Sequence, residues 1–169
     1  MFRIIVLAGA LAMGPAAAAQ EAPVTDAQIA HIAYTAGQLD VEAGRQALAK
    51  TTDPEVRAFA ETMVRDHAAV NEQALALVGR LNVTPEANPV SAALTEQAAA
   101  THARLAGLEG EAFDRAYVQN EVAFHRTVNE ALSGTLIPSA QNAELKALLE
   151  TGLELFRAHQ AHAEQLGAQ

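Results

Sequence analysis

Residues 56 to 81 leave the chain few choices of fold. Val56, Ala60, Met63, His67, Val70, Ala74, Leu77 and Leu81 succeed one another in alternating steps of four and three. That spacing puts side chains on one face of an α-helix and scatters them over both faces of a strand. Just upstream, Thr52-Asp53-Pro54-Glu55 offers a capping side chain, a proline at the first helical position and an early acid, which together start a helix. A long helix with one apolar stripe must bury that stripe against other helices. The stripe is apolar everywhere except at His67.

Three more long segments carry the same periodicity. The first helix is expected from about residue 26 to Lys50, with a seam of Ile29, Ala33, Ala36, Asp40, Ala43 and Ala47. A third long helix is expected over about 111 to 133, closed by Ser133-Gly134, with Asp114, Val118, Glu121, His125, Val128 and Leu132 on one stripe. After GTLIPS the fourth covers roughly 140 to 167, with a seam of Leu145, Leu148, Gly152, Leu155, His159, His162 and Leu166. A shorter helix over 90 to 106, ended by Gly107 and Gly110, connects the second to the third. Four long amphipathic helices without a strand signal predict an all-α four-helix bundle with a short extra helix between the second and third long ones. Abundant alanine and only 4% aromatic residues suit closely packed helices.

The chain opens MFRIIVLAGALAMGPAAAAQEAP, with a basic start at Arg3, an apolar run over 4 to 13 and small residues at Ala17-Ala18-Ala19. This is the pattern of a cleaved signal peptide over 1 to 19, leaving one bundle domain over 20 to 169 and a periplasmic location. The run is too short to span a bilayer, and no later stretch is long and apolar enough to do so. Without cysteine, neither a disulfide nor a lipid anchor on sulfur is available. The formal charge of −9 includes Arg3, so the mature chain carries −10, which repels nucleic acid and anionic lipid.

Each long helix places an acid or a histidine on its inward stripe: Asp40, His67, Glu121 with His125 one turn apart, and His159. A charged or unpaired group in a core costs several kcal/mol unless something answers it. One answer is a divalent transition metal such as zinc, copper or iron, since bundle interiors build such sites from Glu, Asp and His on facing helices. The other is a metal-free polar layer that hydrogen-bonds across the core and fixes helix register. At about 1.5 Å per residue, Asp40 and His67 lie roughly 15 to 20 Å from the loop at 51 to 53, and His125 falls at a similar depth. This groups Asp40, His67, Glu121 and His125. Counted from a loop at 134 to 139, His159 and His162 come out roughly 10 to 20 Å from His125, nearer Asp114, which predicts a second, weaker centre of His159 with Asp114. Met63 reads as core filler, His31 and His102 as surface residues, and His159 with His162 as either a chelating or a solvated pair. Motifs for hydrolytic, phosphate-binding or thiol chemistry are missing, and no Glu-x-x-His pair of a di-iron site occurs in the mature chain.

The segments AGQLDVEAGRQALAKTTDPEVRAFAETMVRDHAAVNEQ, EAFDRAYVQNEVAFHRTV and LFRAHQAHAEQL resemble the domain of unknown function 4142 family. Its members are exported bacterial proteins, often labelled outer-membrane proteins and similar to ferritin-like bundles. The resemblance covers almost all of the mature chain and points to Asp66, His67, Phe113, Asp114, Tyr117, His125 and His159. At Asp40 the family usually has Glu, so the carboxylate is kept with a shorter reach; His162 has no counterpart. The label conflicts with the sequence, which has neither barrel strands nor an anchor. The resemblance implies a ferritin-like fold, export and a role in envelope stress. Together the residues and the resemblance favour metal binding over catalysis. The second reading is an interaction module with a metal-free layer, able to pair as a homodimer through a leftover apolar stripe or to contact another envelope protein.

Overall fold

Asp53 and Asn142 each turn one side-chain oxygen onto the first free N–H groups of the helix that follows. Asp53 accepts from Glu55 and Val56 at 2.8 and 3.1 Å, and Asn142 from Glu144 and Leu145 at 2.9 and 3.1 Å. Thr25 with Gln28 and Asn88 with Ser91 form reciprocal capping boxes. These caps set the helix starts in a computed structural model that describes residues 23–168. The helices are α1 (Asp26–Lys50), α2 (Pro54–Leu81), α3 (Pro89–Ala106), α4 (Gly110–Ala131), α5 (Ile137–Ser139) and α6 (Ala143–Leu166), with a π-helical turn, Leu132–Leu136, joining α4 to α5. The expected signal peptide over 1 to 19 lies outside the described residues. No helix among the described residues is long and apolar enough to cross a membrane.

Contacts between helix ends give the topology. Asp26, opening α1, accepts from the backbone N–H groups of Gln141 and Asn142, just before α6, and Asn88, just before α3, donates to the carbonyl of Gln28. At the other end, Lys50 donates to the carbonyl of Ala106 and to the carboxylate of Glu109, just before α4. Thus α1 and α6 run one way and α2 and α4 the other, while α3 carries the chain back along the outside. Two parallel pairs with one long crossover make the ferritin-like bundle expected from the sequence.

Two expected boundaries move. Gly134 does not end the third long helix: the chain stays helical through the π turn to Ser139. Leu132 and Leu136 are both buried and keep the segment on the core. The N–H of Ile137 reaches back to the carbonyl of Leu132, and the turn ends just before Pro138, which has no N–H to continue an α-helix. Correspondingly, the last long helix starts at Ala143 rather than near 140.

The apolar core comes in two parts. At the end near Thr51 it contains Phe59, Met63, Phe113, Tyr117 and Ala163; toward the π turn it contains Ile29, Leu77, Leu136, Leu149 and Phe156. Between them lies a layer of Asp40, His67, Glu121, His125 and His159, each at most 4% exposed. Gly37 and Gly44 bracket Asp40 on α1. A Cβ at Gly44 would stand 2.8 Å from Val64 Cγ2 and 3.2 Å from the Ala60 carbonyl, so α1 and α2 approach closely only because it is absent. This close approach lets a carboxylate as short as aspartate reach across to α2.

Candidate metal centre

Asp40 on α1, His67 on α2 and His125 on α4 point their polar atoms at one another. His67 Nε2 and His125 Nε2 are 3.4 Å apart, and Asp40 Oδ2 stands 3.2 Å from the first and 3.5 Å from the second. Two nitrogens bound tetrahedrally to one ion at about 2.0 to 2.1 Å lie about 3.3 to 3.4 Å apart. The three atoms therefore already stand as neighbouring ligands of one ion stand. The two Nε2 atoms meet as a hydrogen-bonded pair, but neither oxygen of Asp40, both fully buried, has a hydrogen-bond partner.

His159 on α6 joins this group. Its ring centroid is 5.3 Å from that of His67 and 5.5 Å from that of His125, and the His67 and His125 centroids are themselves 5.5 Å apart. One nitrogen from each of the three rings lies within 4.8 Å of the others, and Asp40, Glu121 and His125 meet the same test. Phe156, three residues before His159, stacks on His67 at 4.6 Å and closes the apolar side of the layer.

Outer contacts set the ring orientations of His125 and His159. His125 Nδ1–H donates to the carbonyl of Glu121 at 3.0 Å, one turn back, which leaves the Nε2 lone pair toward Asp40. His159 Nε2–H donates to Asp66 Oδ2 at 3.1 Å, and its Nδ1 is buried without a partner. Arg65 Nε donates to the other oxygen of Asp66 at 2.7 Å. Burial pushes the Asp66 carboxyl up, but the hydrogen bonds from Arg65 and His159 outweigh it and hold it below the usual range. A carboxylate that orients an imidazole in this way is the usual second partner of a metal-binding histidine.

Burial lowers the His67 imidazole to about 3, helped by the charge of His159, and lowers that of His125 to about 4 against the pull of Asp40. Both rings are therefore neutral at pH 7, the form that binds a metal. Burial also raises the Asp40 carboxyl, and it raises Glu121 well above its ordinary value, with the Asp40 charge adding to the effect. Of the two carboxyls, Glu121 is the one more strongly driven toward its neutral form. The Tyr117 hydroxyl, buried without a partner, is pushed up by burial and then by Glu121 and Asp40.

Asp40, His67, Glu121 and His125 come together as expected. The second centre of His159 with Asp114 does not form: His159 belongs to the main group, and Asp114 lines a surface hollow with Asp53, Glu55, Arg115 and Leu166 at the end of the bundle. The expected offset between His159 and His125 is absent because the chain stays helical past residue 133, through to Ser139. His125 is 14 residues before Ser139 and His159 is 17 after Asn142, about 21 and 25 Å, which puts both at one level. His162 is exposed and meets the edge of Phe59 at 5.1 Å, away from the layer. Met63 lies in the apolar core, as expected. Periodicity gave no role to Asp66, since its side chain reaches His159 from the rim of the stripe, and none to Phe156.

No curated protein sequence matches the chain. Among solved structures, a Streptomyces coelicolor protein described as secreted, of the DUF305 type, superposes with a TM-score of 0.71 at 18% identity, over 83% of this chain and 90% of its own. CopM in its Cu(II)-bound form superposes with a TM-score of 0.68 at 15% identity, over 87% and 98%. At these identities the likeness concerns the fold. The family model described as Domain of unknown function (DUF4142) matches residues 11–166, and the chain belongs to that family.

Proposed function

We propose that this protein binds one divalent transition-metal ion inside its bundle, through His67 Nε2, His125 Nε2, His159 Nδ1 and Asp40 Oδ2, with Glu121 and Asp66 as supporting carboxyls. The observation that carries the reading is the triangle of Asp40 Oδ2 with the two Nε2 atoms at 3.2, 3.4 and 3.5 Å, together with the absence of a hydrogen bond to Asp40. An ion there would answer a buried carboxylate that the protein itself leaves unanswered. Three imidazoles and one carboxylate suit copper(II) and zinc, with iron(II) weaker. The similar fold of CopM, solved with Cu(II), supports copper. A closed four-ligand set suits holding an ion rather than turning over a substrate.

We place this role outside the cytoplasm, on the leader pattern of residues 1 to 19. The secreted description of the DUF305 neighbour agrees with it. Sequestration of copper or zinc in the periplasm under envelope stress is the role that follows. Metal titration of the mature protein beside His67→Ala and His125→Ala tests the reading. One ion per chain, lost in both variants, is expected. No ion at micromolar concentration, with both variants merely less stable, would mean a metal-free layer.

A further inference from the structure

Two cavities flank the polar layer, and they differ in chemistry. One, of about 140 Å³, is lined by apolar side chains including Ile32, Val70, Leu132, Leu149 and Phe156. A hydrated cation gains nothing on such a wall. The other, of about 50 Å³, lies between α1, α3 and α4, with Asp40 and Glu121 in its lining beside Gln97, Thr101, His102 and Asn120. Oxygens of both carboxylates are fully buried there without hydrogen-bond partners. No ring nitrogen of half-buried His102 makes a hydrogen bond among the described residues; its carbonyl accepts from Gln46 Nε2 at 3.0 Å.

The covering element is built to yield in its middle. Helix α3 is tied at its start by Asn88 to the Gln28 carbonyl, and near its end by Gln46 to the His102 carbonyl and Lys50 to the Ala106 carbonyl. Between these ties its inward residues, Leu94, Ala98 and Thr101, are only partly buried, and its fully buried residues are only Ser91 and Leu105, near the two ends. A segment with so few buried contacts opens locally at little cost.

We propose that the cleft beneath α3 is the path by which the ion reaches and leaves the centre, with His102 the first imidazole it meets and the Asp40 carboxylate drawing it inward. The inference rests on the metal-binding reading. Stopped-flow uptake of Cu(II) by the mature protein, and its release to a chelator, test it in His102→Ala, in Ala98→Phe, which narrows the cleft, and in Ala33→Leu, which fills the apolar cavity instead. Uptake is expected to slow roughly tenfold or more in His102→Ala and Ala98→Phe. Release should slow by the same factor in Ala98→Phe, leaving its equilibrium affinity unchanged, and Ala33→Leu should behave as the parent. Parental rates in both cleft variants, with slow uptake in Ala33→Leu, would overturn the path while leaving the site standing. A parent that takes up no Cu(II) at equilibrium would overturn the site itself, before any rate is compared.

Discussion

Asp40→Asn should raise the stability of the metal-free protein and abolish its response to metal. Asp40 is buried, and neither of its oxygens has a hydrogen-bond partner. Such a carboxylate costs several kcal/mol after relaxation. Asparagine keeps the shape and removes the charge, and its amide can donate toward the inward nitrogens of His67 and His125, 3.2 and 3.5 Å from Oδ2. The gain should be about 1 to 3 kcal/mol. For a chain of this size that raises the melting temperature by about 3 to 10 °C. With zinc at a hundred times its dissociation constant, the parent gains about 2.7 kcal/mol and the variant, lacking one ligand and its charge, gains little. Thermal melts with and without zinc should therefore narrow or reverse the order of the two proteins. A variant that melts lower than a metal-free parent, with zinc moving neither curve, would refute the reasoning and make Asp40 an ordering residue of a polar layer.

Gly44→Ala should cost about 1 to 3 kcal/mol in denaturant unfolding, since the new Cβ meets Val64 Cγ2 at 2.8 Å, and should weaken metal binding by pushing Asp40 off α2; an unchanged protein would show that the helices have slack. Asp66→Asn should lower metal affinity 10- to 100-fold in competition titrations, because it loosens His159 without opening the core, whereas parental affinity would remove Asp66 from the site. The pH dependence of metal-free stability contains two opposed parts. His67 and His125, lowered in the folded state, give stability that is complete above pH 6.5 and lost as the pH falls, while the raised Asp40 and Glu121 give stability that grows as the pH falls toward 4.5. Removing both carboxyls in Asp40→Asn/Glu121→Gln should steepen the loss as the pH falls toward 4.5, by up to about 1.4 kcal/mol per pH unit for each carboxyl, measured by urea unfolding; equal slopes would contradict the raised carboxyls.

The fold was legible because the helix starts are written locally, in Thr25, Asp53, Asn88 and Asn142, and the seams follow a simple period. The polar layer was legible for the same reason: Asp40, His67, Glu121 and His125 interrupt stripes that are otherwise apolar. The level of His159 was not, because Gly134 looks like a helix stop. The signal against that stop was present in Leu132 and Leu136, four residues apart, which carry the inward stripe past the glycine. The partnership of Asp66 with His159 links two helices 93 residues apart in sequence, and no local pattern encodes it. Nor does periodicity reveal that Gly37 and Gly44 bring α1 close enough for a short carboxylate. Which cavity wall is polar depends on where α3 lies, and its stripe is too weak to say.

The most direct test of the central claim is a crystal structure of the metal-loaded mature protein with anomalous diffraction recorded at the metal edge. One peak is expected inside the bundle, about 2.0 to 2.2 Å from His67, His125, His159 and Asp40. A peak confined to groups outside the layer, such as His162 or Asp114, with the interior side chains unmoved, would contradict the metal site.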